Sequence, residues 1–150
     1  MQDHRDRLRK DRRGIMSLPI KLMVTALVIT ISLPLLTNVI DDSERDMATA
    51  EMDQEVVKFM KTAELAHRSG NGSSRMVSIS LPAGCEICVG GEGNDALCVR
   101  SVYNGEIVSK HYFETPVLKI TEQMIFTGKV TLKLTSNEAG DIPEIEVTVL

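Results

Sequence analysis

Aromatic residues are scarce in this chain of 150 residues, and tryptophan is absent. Two Tyr and three Phe are too few for the aromatic platforms on which bases or sugars stack. Cationic residues are also in the minority beyond the N-terminus, where residues 15–150 carry 11 Lys/Arg against 18 Asp/Glu. A mildly acidic body binds the phosphate backbone poorly, so we expect no nucleic-acid partner.

The residue arrangements that support catalysis are missing as well. Neither a Ser/His/Asp set nor two carboxylates at catalytic spacing stands out, and the histidines number only three. We therefore predict a protein that is not an enzyme, with no catalytic residues and no cofactor.

The cysteines are three in number, and all lie in "GCEICVGGEGNDALCV" (84–99). A zinc site needs four ligands, and beside Cys85 and Cys88 only Cys98 is near in sequence, with His111 in the next predicted strand. A thioredoxin-like pair at Cys85 and Cys88 would require a helix start and a lowered thiol pKa, whereas this motif lies in a strand pattern. We predict no metal site.

A disulfide is the remaining interpretation of the cysteines. A chain reversal centred on Gly93 places Cys88 opposite Cys98, at a separation that a bridge tolerates. We predict this disulfide, with Cys85 as a buried thiol, although a one-residue shift of the turn would put Cys88 on the wrong face.

Apolar residues are concentrated in 15–40, where Lys21 is the only charged residue. As a helix, this segment of 26 residues reaches ~39 Å, more than the ~30 Å of a hydrocarbon core. Residues 1–14 carry six Lys/Arg against three Asp, and "DDSERD" follows at 41–46. This charge asymmetry predicts a membrane-spanning helix with a cytoplasmic N-terminus and the rest of the chain outside.

The next segment, 41–68, predicts an amphipathic helix. Its apolar stripe recurs at helical spacing and consists of Met52, Val56, Phe59, Ala63 and Ala66. The helix should end at "SGNGSS" (69–74), which is a flexible turn sequence.

Residues 75–150 predict a β-rich head of six or seven short strands. Val77, Ile79 and Leu81 alternate with serines, and two later runs alternate in the same way. Asn104–Gly105 predicts a two-residue hairpin. Because a small antiparallel sheet needs cover for its apolar face, we predict an α+β fold of lollipop form, in which the amphipathic helix packs on the head.

Gly14, between the basic segment and the apolar run, allows three interpretations. It has no role if the chain is an ordinary single-span anchor. Alternatively, "MATA" (47–50) offers a leader-peptidase site after Ala50, although the apolar run is much longer than an ordinary signal peptide needs. The third interpretation is cleavage directly after Gly14.

The third interpretation rests on a resemblance to the type IV pilin family, in particular to archaeal pilin-like proteins with a class III signal peptide. "RRG" is followed by "IMSLPIKLMVTALVITISLPLL", then by an amphipathic helix and a β head. In that family a prepilin-type peptidase cuts after the glycine. The cleavage site implied here consists of Arg12, Arg13, Gly14 and Ile15, with the cut between Gly14 and Ile15. Many pilins have a glutamate five residues after the cut, where this chain has Pro19; "SLP" (17–19) loosely matches the Ser-Pro of archaeal relatives.

The resemblance implies a leader (1–14), a membrane or filament-core helix (15–40), an amphipathic helix (41–68) and an extracellular head (75–150). The implied function is that of a major or minor subunit of a pilus-like adhesive filament or secretion assembly. The implied partners are the peptidase, membrane lipid before assembly, and like subunits through residues 15–40. The alternative is an uncleaved single-pass membrane protein with an extracytoplasmic β binding domain.

Asn71 begins "NGS", an N-glycosylation sequon in a loop predicted to be exposed. We retain Asn71 as a candidate glycosylation site.

Overall fold

The computed structural model describes residues 3–114, 116–138 and 140–150, with side chains from Leu18 onward apart from Asn38. The chain forms two compact units, Met1–Glu44 and Arg45–Leu150. Its elements in order are α1 (Asp3–Arg68), β1 (Ser74–Ser80), β2 (Cys85–Val89), a 3-10 helix (Gly93–Leu97), β3 (Cys98–Tyr103), β4 (Glu106–Tyr112), β5 (Met124–Thr127), β6 (Lys129–Asn137) and β7 (Glu144–Val149). This confirms the predicted α+β fold, with a long N-terminal helix and an antiparallel β head.

The apolar part of α1 remains helical through Pro19 and Pro34. Within the described residues, one helix is long and apolar enough to cross a membrane. Its most apolar window of 18 residues has a mean hydropathy of 2.1, and none of that window is buried. By length and composition, this helix is compatible with membrane anchoring.

The C-terminal part of α1 buries the predicted stripe. Met52, Val56, Phe59, Ala63 and Ala66 are each fully buried, and all but Ala66 belong to one hydrophobic core with strand residues of the head. The 3.6-residue period places these side chains on one side of the helix, which is why the sequence predicts them correctly.

The helix ends where the sequence predicts. Arg68 is its last residue, and His67 and Arg68 put basic side chains in the final turn, where they suit the negative end of the helix dipole. Gly70 follows with φ +102°, and its N–H donates to the His67 carbonyl at 2.9 Å. Glycine adopts this backbone conformation without steric cost, so the chain turns here toward β1.

The strands form two antiparallel sheets, whereas the sequence predicts one. The first sheet has the order β1–β6–β7 and the second the order β4–β3–β2–β5. β1 pairs with β6, so that Val77 lies opposite Leu132. This pairing joins residues 49 to 61 positions apart, and alternation within a strand carries no information about so distant a partner.

The hairpin between β3 and β4 confirms the turn predicted at Asn104–Gly105. Asn104 has φ +49° and Gly105 has φ +84°. Positive φ at both central residues is the requirement of a type I′ turn, which the Asn-Gly sequence favours.

The predicted register of β2 against β3 is wrong by two residues. Cys88 lies opposite Arg100, and Val89 lies opposite Val99. Cys98 is therefore a diagonal neighbour of Cys88, at a typical distance of ~7–8 Å rather than the shorter distance that a bridge needs. All three cysteines are free, so the predicted Cys88–Cys98 disulfide is not found.

Candidate functional site

The described side chains of the apolar segment 18–40 are uncovered. Its large hydrophobic side chains range from 51% exposed at Ile29 to 76% exposed at Met23. An aliphatic surface of this length is unfavourable in water, because each buried CH₂ group is worth ~0.8 kcal/mol. A continuous exposed apolar surface of this kind is typical of segments that contact lipid or a protein partner.

The hydroxyl groups of this segment are satisfied within the helix itself. Thr25, Thr30 and Ser32 donate to the backbone carbonyls four residues earlier, at 2.8, 2.7 and 2.7 Å. Thr37 donates to the Pro34 carbonyl at 2.9 Å. Because hydroxyls bonded in this way do not depend on water, these four side chains can lie in an apolar medium at little polar cost.

Lys21 is the one charged side chain of the apolar segment, and it is exposed. A lysine near the end of a membrane helix can extend its amine to the interface while its methylene groups stay in the apolar phase. In a packed bundle of helices the same ammonium group would need an anion beside it.

The predicted cleavage residues Arg12, Arg13, Gly14 and Ile15 lie outside the residues whose side chains the structure describes. Cleavage after Gly14 therefore stays a prediction.

Three polar side chains meet on the head in a contact that the sequence does not predict, although His111 is considered above as a fourth zinc ligand. His111 Nε2 lies 3.1 Å from Asp53 Oδ1 and 3.1 Å from Ser109 Oγ. The Ser109 hydroxyl donates to the same Asp53 oxygen at 3.2 Å. The Asp53–Ser109–His111 cluster thus links the amphipathic part of α1 to β4.

These three residue types are those of a hydrolase triad, but their geometry differs. A triad needs the carboxylate on the Nδ1 side of the imidazole and the serine hydroxyl on Nε2. Here both oxygens approach the same nitrogen, Nε2, so the carboxylate cannot orient the ring for proton transfer from serine. The contacts instead hold the helix to an edge strand of the sheet.

A cleft of about 440 Å³ lies beside this cluster, between α1 and β4. Its size is within the range of small-ligand sites. Its charged lining residues are of both signs, so it favours neither an anion nor a cation. The lining residues are Val57, Met60, Lys61, Glu64, Lys110, His111, Tyr112 and Glu114.

The free thiols lie in environments that suppress their reactivity. Burial is the main cause that raises the pKa of Cys85, Cys88 and Cys98 above the usual value. Glu51 adds to the rise at Cys85, whereas Arg100 opposes it at Cys88. A redox-active thiol needs a lowered pKa, so none of the three meets that requirement.

Arg100, which faces Cys88, connects β3 to the 3-10 segment. It donates to Asp95 Oδ2 at 2.9 Å and to the Gly90 carbonyl at 2.9 Å. These charge-assisted bonds fix the chain reversal in the register that separates Cys88 from Cys98.

Asn71 is exposed in the turn that follows α1. Its side-chain oxygen accepts a hydrogen bond from the Glu138 backbone N–H at 3.2 Å. The side chain is therefore at the surface, and its glycosylation stays a prediction.

In the part of the chain that the structure describes, no three His, Cys, Asp or Glu side chains are grouped as metal ligands. Comparisons with family models, with curated proteins and with solved structures found no match for this chain.

Proposed function

We propose that this chain is a structural subunit, major or minor, of a type IV pilus-like surface filament or of a related pilin-like secretion or adhesion assembly. The observation that supports this most is the uncovered helix of residues 18–40. Its hydrophobic side chains are exposed, and all four of its hydroxyls bond to its own backbone. A surface of this kind suits a lipid bilayer and also suits a bundle of similar helices.

Cleavage after Gly14 would make the second of these environments accessible. Residues 1–14 carry six Lys/Arg, and burying them in a helical bundle would leave unpaired cations in an apolar medium. Removal of the basic segment leaves an apolar N-terminal helix that can exchange lipid for other subunits. The enzyme that would make this cut is a prepilin-type peptidase.

The head has the properties of an outward-facing domain in this proposal. Its core is closed by the buried stripe of α1, so it does not need the apolar segment to complete its packing. We propose that like or related subunits assemble through residues 15–40 and that the head forms the outer surface. Before assembly the protein would lie in the cell membrane with its N-terminus in the cytoplasm.

The cleft between α1 and β4 favours a second function, that of an uncleaved membrane-anchored binding protein. A volume of about 440 Å³ is sufficient for a small ligand. In that case residues 1–14 would remain on the protein and no polymer would form.

The mature N-terminus tests the proposal directly. We expect intact-mass and peptide mass spectrometry of the protein from its native cells to show Ile15 as the first residue. Protein that begins at Met1 or Gln2 would support the anchored binding protein, and protein that begins at Glu51 would indicate a secreted head.

A variant at the cleavage position extends this test. Gly14→Ile should block processing because the bulky side chain replaces a glycine that the peptidase recognises, and the uncut protein should stay in the membrane fraction. Met16→Leu, two residues away and conservative in size, is the matched control and should be processed normally. Normal maturation of the Gly14→Ile protein would argue against cleavage at this position.

A further inference from the structure

Lys21 has no acidic residue near it in its own apolar helix. Residues 15–40 contain no Asp or Glu. Toward the C-terminus, the first carboxylate after Lys21 is that of Asp41. With a rise of 1.5 Å per residue, Asp41 lies ~30 Å along the helix axis from Lys21. An ion pair between these two residues of the same copy is therefore excluded by distance.

The two residues also point in nearly opposite directions. Their separation of 20 residues corresponds to about 5.6 turns at 3.6 residues per turn, so their side chains are ~200° apart around the helix. α1 is continuously helical over this interval. Both side chains are exposed.

If two parallel helices are related by translation alone, two residues that pair between them must lie on opposite faces of the helix. When a copy lies beside the first and is shifted along the axis, a side chain on one face of the first meets the opposite face of the second. A shift of ~30 Å brings Lys21 of one copy to the level of Asp41 of the other, with both side chains directed into the contact. Glu44 lies three residues beyond Asp41 and is also exposed, so the receiving face carries two carboxylates.

We propose that Lys21 forms an intermolecular ion pair with Asp41 of a second copy of this chain, and that this pair sets an axial offset of ~30 Å between contacting subunits. The inference rests on the proposed filament function and adds the register of its subunits. It gives the one cation of the apolar helix an anionic partner, without which the ammonium would be buried unpaired in the assembly. The contact joins two different surfaces of the chain, one around Lys21 and the other around Asp41, so it can repeat along an open polymer.

Charge reversal provides the first test, with the full chain expressed in its native cells. Lys21→Glu should reduce the recovered high-mass assembly on the order of a hundredfold, because it places like charges in a contact removed from water. The double variant Lys21→Glu/Asp41→Lys should restore most of the assembly, since it exchanges the two charges. The matched control is Lys21→Glu/Asp42→Lys. Asp42 points ~120° away from the direction opposite Lys21, so this variant should not recover the high-mass assembly.

Carbodiimide cross-linking of wild-type assemblies provides a second test that does not depend on the variants inserting into the membrane. This reagent joins an amine and a carboxylate that are already in contact. We expect a cross-linked peptide that contains Lys21 and either Asp41 or Glu44. Because these residues are ~30 Å or more apart within one helix, such a link can form only between copies.

The outcomes separate this inference from the proposed function. A wild-type protein that begins at Ile15 and assembles, but gives neither the cross-link nor rescue by Asp41→Lys, overturns the ion pair and leaves the filament proposal in place. Equal rescue by Asp42→Lys also overturns it, since the effect would then depend on overall charge. A wild-type protein that retains residues 1–14 and forms no high-mass species overturns both.

Discussion

Individual glycines determine how closely neighbouring segments of the head approach one another. Gly90 has φ +71°, and a Cβ atom added there would lie 2.0 Å from the Glu122 backbone carbonyl oxygen. Gly93 has a similar φ of +61°, but nothing lies within 4 Å of the corresponding position. The two glycines share a backbone conformation and differ in the space around them.

We expect Gly90→Ala to destabilise the protein by about 3 kcal/mol or more, for two reasons. The alanine must adopt a strained positive φ, and its Cβ atom forces the backbone of residue 122 to move. Gly93→Ala should cost only the ~1–2 kcal/mol of the left-handed conformation. Urea unfolding followed by circular dichroism, on the full chain in detergent, measures both. Equal losses for the two variants would show that the close approach at Gly90 is absent.

The thiols provide a residue-scale prediction about pH. Burial raises the pKa of all three cysteines, and the thiolate is the reactive form. Alkylation by iodoacetamide in the folded protein should therefore be slower at neutral pH than in denatured protein, and its pH profile should lie at higher pH. Since the pKa is higher in the folded state, folding stability should also fall as the pH rises through the alkaline range.

Peptide mass spectrometry of the alkylated protein resolves the order of reaction. Cys88 is partly exposed, whereas Cys85 and Cys98 are buried, so Cys88 should react first. Denatured protein is the control, in which the three rates should become similar. Preferential labelling of Cys85 or Cys98 in the folded protein would contradict the described burial.

At the scale of elements, the amphipathic part of α1 is the cover of the β head. Phe59 is among the largest fully buried side chains and packs in the core with residues of both sheets. Phe59→Ala should lower the free energy of unfolding by ~3–5 kcal/mol through lost burial and a residual cavity. The control is Leu65→Ala on the same helix, where the side chain is 48% exposed and the change should be within about 0.5 kcal/mol.

Thermal or urea unfolding of these two variants checks the arrangement. If Leu65→Ala costs as much as Phe59→Ala, the helix would be packed on the head through a different face.

The Asp53–Ser109–His111 cluster is a second link between helix and sheet. His111→Ala should destabilise the protein by about 0.5–1.5 kcal/mol, as expected for loss of a partly exposed hydrogen-bonded pair. A double-mutant cycle with Asp53→Ala should show that the two losses are not additive. The control is Lys58→Ala, which removes an ion pair to Glu55 within the helix and should cost a few tenths of a kcal/mol.

Additive losses in that cycle would show that Asp53 and His111 do not act together. Coupling of more than about 0.5 kcal/mol would support the contact as described.

How much of each element follows from the sequence depends on how local its cause is. The stripe of Met52, Val56 and Phe59 follows from helical periodicity alone, and the Asn104–Gly105 turn follows from the backbone preferences of two residues. The register of β2 and β3 does not follow from local sequence. It is fixed by contacts of Arg100 with Asp95 and Gly90, which no periodicity reveals. The division into two sheets depends on the distant pairing of β1 with β6.

The Asp53–Ser109–His111 cluster is similar in this respect. Ser109 and His111 are two residues apart in one strand, so their shared face could be predicted. Asp53 is on the polar side of a helix more than 50 residues earlier, and only the packing of that helix brings it to the strand.

At the scale of the whole molecule, the two units have different requirements. The unit Arg45–Leu150 contains the complete hydrophobic core, whereas the uncovered apolar residues of α1 lie mostly in Met1–Glu44. A fragment of residues 45–150 should therefore be soluble without detergent and should unfold cooperatively. The full chain should need detergent or lipid.

Analytical ultracentrifugation and circular dichroism of the fragment check this prediction. The matched control is a fragment of residues 18–150, which restores the apolar segment and should associate or precipitate in the same buffer. A 45–150 fragment without a cooperative transition would show that the head depends on the N-terminal unit.

The free state of Cys85, Cys88 and Cys98 has a consequence for where the head can remain folded. Its chain is closed by no covalent loop, so its stability comes from packing and hydrogen bonds rather than from a constraint on the unfolded ensemble. Dithiothreitol or glutathione has no bridge to reduce, and the melting temperature should be the same in oxidising and reducing buffers. We therefore expect the head to fold without help from an oxidase or a disulfide isomerase, on whichever side of a membrane it lies.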